Sequence, residues 1–487
     1  MIWNVTPYNT RAAPVNIMER DGFGNVTLKE IGIADNAFSD STSSAASDPD
    51  LKPGFPVRTY HSAGGYQSGP AVHTLVGNFT GNKNLEIVVS GLTSGPLYSI
   101  SYDKHTGTTL LKQIDTFRGA AYPAMGKLSA AFSNKLQVFT GYFSNQPISL
   151  NAYMAPFKTL FGWPRMAANY VASPPSLADV DGDGIDEIFI EEEDGQLHGY
   201  KADGTILPGW PVRSNGDQKM HTPAITDLDG DGQMEIISAS GWVSTGGVYL
   251  YAWHRDGSIV SGFPIQLPGG YVNTFPVVGD GDGKKEIVVI ESEELITKVK
   301  ILSYEGVVKK TLPASGRLTY GTTVALADLD SDGNPEIILQ TESALNVWRG
   351  DGRVFPGWPK TYSGYWVGNF APVVGDIDGD GSPDIAIILT VTGSSEKGEV
   401  CVYNKKGVLH SHFPKSLKIG FGAVPAIADI DRDGRNELIV TGAFWDGHIG
   451  YYDKVWAYDL KGSNYGPILW GQFGGDCKHQ NSYPVEP

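Results

Sequence analysis

From residue 51 onward, short apolar runs alternate with polar turns in an order that repeats along the chain. In one period an apolar strand, Ala224-Ile225-Thr226, enters an acidic turn, and a second run, Glu235-Ile236-Ile237-Ser238, leaves it. A glycine-rich link over 241–247 follows, then the alternating run Val248-Tyr249-Leu250-Tyr251-Ala252-Trp253. The turn Asp256-Gly257 leads to a fourth segment, closed by Gly262-Phe263-Pro264. Short runs of period two bounded by Gly and Asp read as half-buried strands. The turns begin near residues 78, 127, 179, 227, 280, 328, 376 and 429. A spacing of about 48 to 53 residues marks a propeller or solenoid. Four short antiparallel strands per period predict an all-β, eight-bladed β-propeller over residues 51–487, with seven blades as the alternative.

A Gly-aromatic-Pro tag recurs as Gly54-Phe55-Pro56, Gly162-Trp163-Pro164, Gly209-Trp210-Pro211 and Gly357-Trp358-Pro359, with His412-Phe413-Pro414 as a variant. Proline lacks the N–H that a central strand needs, so the tag belongs to the outermost strand. Its aromatic residue is expected to cover the gap between blades. The first tag precedes the first period, and a late apolar run lies at Ile468 to Gln472. One of these two is expected to complete the last blade and close the ring. Residues 1–50 read as an extension: the weak alternation at Val15-Asn16-Ile17 and Val26-Thr27-Leu28 predicts a small strand pair or a segment that packs on the ring, and 38–50 a Ser/Ala/Asp-rich linker.

The turns carry the chemistry. The signature Asp-x-Asp-x-Asp-Gly-x-x-Glu/Asp occurs five times in full. In the first copy Asp179, Asp181 and Asp183 supply alternating carboxylates, Ile185 a backbone carbonyl, and Glu187 the closing acid. The same roles fall on Asp227, Asp229, Asp231, Gln233 and Glu235, and on Asp328, Asp330, Asp332, Asn334 and Glu336. They recur at Asp376, Asp378, Asp380, Ser382 and Asp384, and at Asp429, Asp431, Asp433, Arg435 and Glu437. Hard oxygens at this density suit Ca2+, and carboxylates so crowded repel unless a cation sits among them. An EF-hand would place its closing Glu at position twelve between helices, whereas here the acid comes at position nine between strands. Asp280, Asp282 and Glu286 form a shortened copy that binds weakly or uses Lys284 in place of the ion. Residues 78–86 keep oxygens but lose charge; no metal is expected at 127–133, which hold no acid. About five to six structural Ca2+ ions are expected.

The formal charge is −17, and five divalent ions would add +10 to it. The chain has no basic stripe, which argues against a nucleic-acid partner. It has no transmembrane stretch or signal peptide, and Met1-Ile2-Trp3 reads as a processed start. Loops of modest calcium affinity fill where calcium is abundant, so an extracellular or cell-surface location is expected. The two cysteines, Cys401 and Cys477, are read either as a bridge or as two separate thiols.

The acidic turns resemble the FG-GAP/VCBS-type repeats of integrin alpha-subunit propellers and of secreted bacterial and archaeal proteins. The resemblance is strong at the five full loops and weak near 78 and 127. It implies structural calcium and extracellular placement. Related rings include a lectin and polysaccharide lyases, so the resemblance does not fix one activity.

The calcium loops stiffen one face. The links on the other face carry many aromatics: Tyr60, His61, Tyr66, Tyr122, Tyr170, Trp242, Tyr271, Tyr320, Tyr362, Tyr365 and Trp366 among them. The segment 443–454 crowds Trp445, Asp446, His448, Tyr451 and Tyr452 into one link. This segment, with His221, Tyr365 and Trp366 as neighbours, is the expected ligand surface, because exposed aromatics stack on sugar rings or anchor protein partners. The leading expectation is a recognition module for a glycan or extracellular protein. One alternative is a polysaccharide lyase or hydrolase drawing on His61, His221, Arg165, Tyr122 or His448, which no spacing ties together. The other is a structural subunit of an extracellular assembly. No catalytic residues are assigned.

Overall fold

The structure is a computed structural model. It describes residues 16–20, 26–30 and 48–483, except for 61–73, 83, 91–96, 115–119, 133–134, 144–148, 156–157, 168–170, 172, 193–194, 215–218, 242–247, 268–274, 281–282, 294–295, 319–321, 367–370, 392–396, 423, 446–450, 461, 463–465 and 477. The chain divides into two compact units, Met1–Pro49 and Asp50–Pro487. In the first, Asn16–Arg20 pairs antiparallel with Val26–Glu30. The second is an eight-bladed β-propeller, and no helix occurs among the described residues.

Each blade repeats one plan. The innermost strands are short: Thr74–Gly77, Ala120–Gly126, Ser176–Ala178, Ala224–Thr226, Val277–Asp280, Ala325–Ala327, Val373–Gly375 and Ala426–Ala428. The second strands follow the turns: Glu86–Ser90, Gln137–Phe143, Glu187–Glu192, Glu235–Gly241, Lys285–Glu293, Glu336–Gln340, Asp384–Val391 and Glu437–Trp445. Their middle residues, such as Ile188, Ile237, Ile338 and Ile439, are fully buried, each in a cluster drawn from neighbouring blades. Apolar runs at these positions are what sheets covered on both faces require.

The tags sit at the entry to the outer strands, and their aromatic residues are buried. Each tag tryptophan also makes a polar bond across the gap. Trp163 Nε1 donates to Ala202 O at 2.8 Å, Trp210 to Arg255 O at 2.9 Å, and Trp358 to Lys405 O at 3.0 Å. In each case the acceptor lies in the hairpin of the next blade. A Cβ on Gly209 would stand 1.7 Å from Asp256 O, so only glycine fits that approach, and its φ of +83° suits glycine.

Ring closure falls to the segment before the first period. Val57–Tyr60 pairs with Tyr451–Tyr458 as the outer strand of the eighth blade. The late run Ile468–Trp470 does something else: it pairs with the innermost strand of the seventh blade. From there the chain passes along the inner strands. The backbone N–H groups of Asp376, Ile427, Leu177, Ile225 and Val278 donate to the carbonyls of Pro467, Gly471, Lys478, Gln480 and Asn481, all at 2.8–2.9 Å. Val76 N donates to Gln472 Oε1 at 2.8 Å, and Asp328 N to the Tyr483 hydroxyl at 3.2 Å. The tail thereby caps inner strands in seven of the eight blades. Trp470, Phe473, His479 and Asn481 are buried within it. Inner-strand N–H groups cut off from water need such partners.

Candidate metal centres

The five full turns come together as acid clusters. Asp179, Asp181 and Glu187 bring one carboxylate oxygen each within 4.8 Å of one another. So do Asp227, Asp229 and Glu235; Asp328, Asp330 and Asp332; Asp376, Asp378 and Asp384; and Asp429, Asp431 and Glu437. Each cluster is capable of holding a metal ion.

Backbone amides shape these turns. Asp179 accepts from the N–H groups of Gly182 and Gly184 at 2.7 Å each. Asp227 accepts from Gly230 and Gly232, and Asp376 from Gly379 and Gly381. Asp328 and Asp429 bond the amides of Gly333 and Gly434 in the same way. The third acid of each loop holds the next amide: Ile185, Gln233, Asn334, Ser382 and Arg435 donate to Asp183, Asp231, Asp332, Asp380 and Asp433. These local bonds curl the loop so that its acids converge. Glycine at 184, 232, 333, 381 and 434 has φ between +83° and +94°, which is why the motif demands glycine there.

The closing residue is the first of the second strand, or in the fifth blade its second, and is buried in every blade: Glu86, Gln137, Glu187, Glu235, Glu286, Glu336, Asp384 and Glu437. One of its oxygens accepts the N–H of the second loop residue. Val180, Leu228, Leu329, Ile377 and Ile430 donate in the five full loops, at 2.8–3.2 Å. Phe79 and Leu128 donate in the first and second blades. The other oxygen distinguishes the loops. Glu336 Oε1 is buried without a hydrogen-bond partner, as is Asp330 Oδ1 beside it. An orphaned, buried carboxylate oxygen aimed into a nest of carboxylates fits a hard cation.

Electrostatics agrees. Burial and then the neighbouring aspartates push Glu187 up to about 7 and Glu336 up to about 8. Burial, with Asp378 and Asp380 adding to it, pushes Asp384 up to about 7. Glu235 is raised for the same reasons, although His254 lowers it. A divalent ion would remove the strain that these shifts express.

The shortened fifth copy is only partly described. Asp280 accepts from Gly283 N at 2.6 Å, and Asp282 lies outside the described residues. Lys284 sits over the Tyr304 ring, 5.6 Å from its centre, while Lys309 Nζ bonds Glu286 Oε1 at 2.6 Å. In the second blade a glutamine does the work of the closing acid. Gln137 Oε1 accepts from Leu128 N, and its amide donates to Lys135 O, both at 2.7 Å.

The expected ligand surface falls at the far end of the second strands. Asp446 and His448 lie outside the described residues, as do His61, Tyr66, Tyr170, Trp242, Tyr271 and Tyr320. For Tyr60, Tyr122, Trp366, Trp445, Tyr451 and Tyr452 only the backbone is described. In the eighth blade Trp445 stands opposite Tyr451, and Phe444, Tyr452 and Tyr60 form one register row across three strands. Tyr365 and Trp366 pair with Val391 and Thr390 at the corresponding end of the seventh blade. The Tyr365 hydroxyl donates to Glu399 Oε2 at 2.7 Å, which pushes Tyr365 up to about 12. His221 is buried edge-on to Phe275, at 5.8 Å between ring centres. Arg165 lies in the second blade, where its guanidinium donates to Asp203 O at 3.4 Å. Cys401 is buried in the seventh blade, and Cys477 lies outside the described residues.

Residues 179–238 and 328–387 match the FG-GAP-like repeat, each spanning two full acidic loops: those from Asp179 and Asp227 in the first, and from Asp328 and Asp376 in the second. No curated protein matches the chain in sequence. Among solved structures it is similar to the Dos1 propeller, at 13% identity and a TM-score of 0.54, with 86% of this chain and 98% of that chain covered. It is also similar to Saccharomyces cerevisiae Sqt1, at 10% identity and a TM-score of 0.50, with coverage of 82% and 100%. At such identities the likeness is one of fold. No helix among the described residues is long and apolar enough to cross a membrane.

Proposed function

We propose that this propeller is an extracellular or cell-surface recognition module, stiffened by structural Ca2+, that binds a glycan or protein partner through the aromatic end of its blades. The observation that carries the reading is the polarity of the second strand of the eighth blade. Glu437 opens it at the acidic loop, and Trp445 ends it at the aromatic register row. Eight residue rises separate the two ends by roughly 26 Å. The acids are thus spent on rigidity at one face, while Phe444, Trp445, Tyr451, Tyr452 and Tyr60 gather at the other. Aromatics in a row on a rigid scaffold suit stacking against sugar rings or anchoring a partner, with little ordering cost on binding.

Calcium serves structure in this reading. Asp181, Asp229, Asp330 and Asp378, with the first, third and closing acids of the same loops, would hold it, and Ile185, Gln233, Asn334 and Ser382 would add backbone carbonyls. When bound, the ion neutralises the carboxylates and locks the turn between two strands. Tryptophan fluorescence tests the recognition reading. Titration with a panel of soluble glycans is expected to quench emission with micromolar-to-millimolar affinity, and Trp445→Ala is expected to abolish the response. No response across a broad glycan array and no retained protein partner would contradict it.

A further inference from the structure

The eighth loop differs from the other full loops in what its acids already hold. Lys52 reaches in from the segment that closes the ring. Its Nζ lies 2.6 Å from Glu437 Oε1, 2.9 Å from Asp431 Oδ2 and 3.6 Å from Asp459 Oδ2. Lys52 is only 5% exposed, and its backbone is tied by Lys52 N to Ala457 O at 2.9 Å and by Phe55 N to Lys52 O. Arg435 holds the third acid of the loop, Asp433, together with Asp459. Three of the four loop carboxylates therefore have cationic partners before any ion arrives. In the sixth blade, the oxygen matching the one that Lys52 takes is the orphaned Glu336 Oε1.

The basic groups beside the other full loops sit differently. Lys201 and Arg349 reach the rim acids Asp181, Asp330 and Asp332, and His410 reaches Asp378. His254 lies 3.2 Å from Glu235 Oε1, but its side chain is 38% exposed, against 4% for that of Lys52. None of these is a buried ammonium on the closing acid. Displacing Lys52 would strand a buried charge, a heavy cost that calcium at the other loops does not meet.

We infer that the eighth loop is closed by the Lys52 ammonium in place of a calcium ion, so that the chain binds four ions, at the third, fourth, sixth and seventh blades. The blade completed by the closing strand is then fastened by a covalently tethered cation, and ring closure does not depend on calcium. The glutamine at 137 and Lys309 on Glu286 satisfy the second and fifth blades from within by the same logic. The inference rests on the calcium reading above, and the test separates the two.

The full chain is equilibrated with calcium, freed of unbound ion, and its bound calcium counted by inductively coupled plasma mass spectrometry. Four ions per chain are expected. Five would return the eighth loop to calcium and overturn the inference while leaving the calcium reading intact, and none would remove that reading itself. Lys52→Met is expected to raise the count to five. Because that variant strands two buried acids, a second pair keeps the test independent of its folding. Glu437→Gln is expected to leave the count at four, and Glu336→Gln to lower it to three. A count that falls with Glu437→Gln would overturn the inference.

Discussion

Single carboxylates explain why these loops need a cation. Glu336 is fully buried, its Oε1 has no hydrogen-bond partner, and burial with the neighbouring aspartates raises it to about 8. Substituting Glu336→Gln should therefore act with opposite signs in two buffers. With chelator present, removing an unpaired buried charge should stabilise the protein by about 1–3 kcal/mol. With calcium present, losing a ligand should destabilise it, and paired thermal melts read both. The raised acids also set a pH dependence. An unfolded glutamate titrates near 4.5, and folded Glu187, Glu336 and Asp384 titrate near 7 to 8. Between those values these groups hold more protons in the folded state, so their contribution to stability in chelator is greatest below about pH 4 and falls as pH rises toward 8. In calcium the slope over that window should flatten. Equal slopes in both buffers would contradict this.

Between elements, the tag tryptophans act as rivets. Trp210 buries its ring and donates its indole N–H to Arg255 O in the next blade at 2.9 Å. Trp210→Phe keeps most of the apolar area and loses that bond, so denaturant unfolding should show a loss of about 1 kcal/mol. A larger loss would show that ring shape, rather than the indole bond, holds the blades. The strands themselves were readable from the chain. Period-two runs such as Val248 to Trp253 became strands, and the tag prolines were restricted to the outer strand by their missing N–H. Gln137 was not legible, because the turn over 127–133 shows only that acids are missing and the role of the glutamine depends on where its two amide atoms land. Lys52 was illegible for a plainer reason: its partner Glu437 lies 385 residues away, and nothing local to Lys52 marks it as a cation for an acidic turn.

At the scale of the whole ring, closure and filling are separate tasks done by opposite ends of the propeller unit. Val57–Tyr60 completes the eighth blade, and residues 467–483 cap the inner strands. The sequence offered both segments as candidates for closure. Their division was not legible, since the tail from Gly471 onward has no strand periodicity and accepts inner-strand N–H groups with its carbonyls and side chains in turn. Deleting residues 468–487 would strip hydrogen-bond partners from the inner strands of all seven capped blades, the seventh keeping only Asp376 N to Pro467 O while losing its pairing with Ile468–Trp470. At about 1 kcal/mol each, such a loss approaches the whole stability of an ordinary domain. The expected outcome is a truncated chain with no single cooperative unfolding transition by circular dichroism. A truncated chain that melts like the full one would show that the tail fills space without holding the ring.

All of these scales depend on cations neutralising the acidic turns. Thermal unfolding of the full chain at pH 7.5, in excess calcium and again in excess EGTA, tests that most directly. A clearly lower midpoint in EGTA, restored when calcium is added back, is expected; coincident curves in the two buffers would show that the turns need no cation.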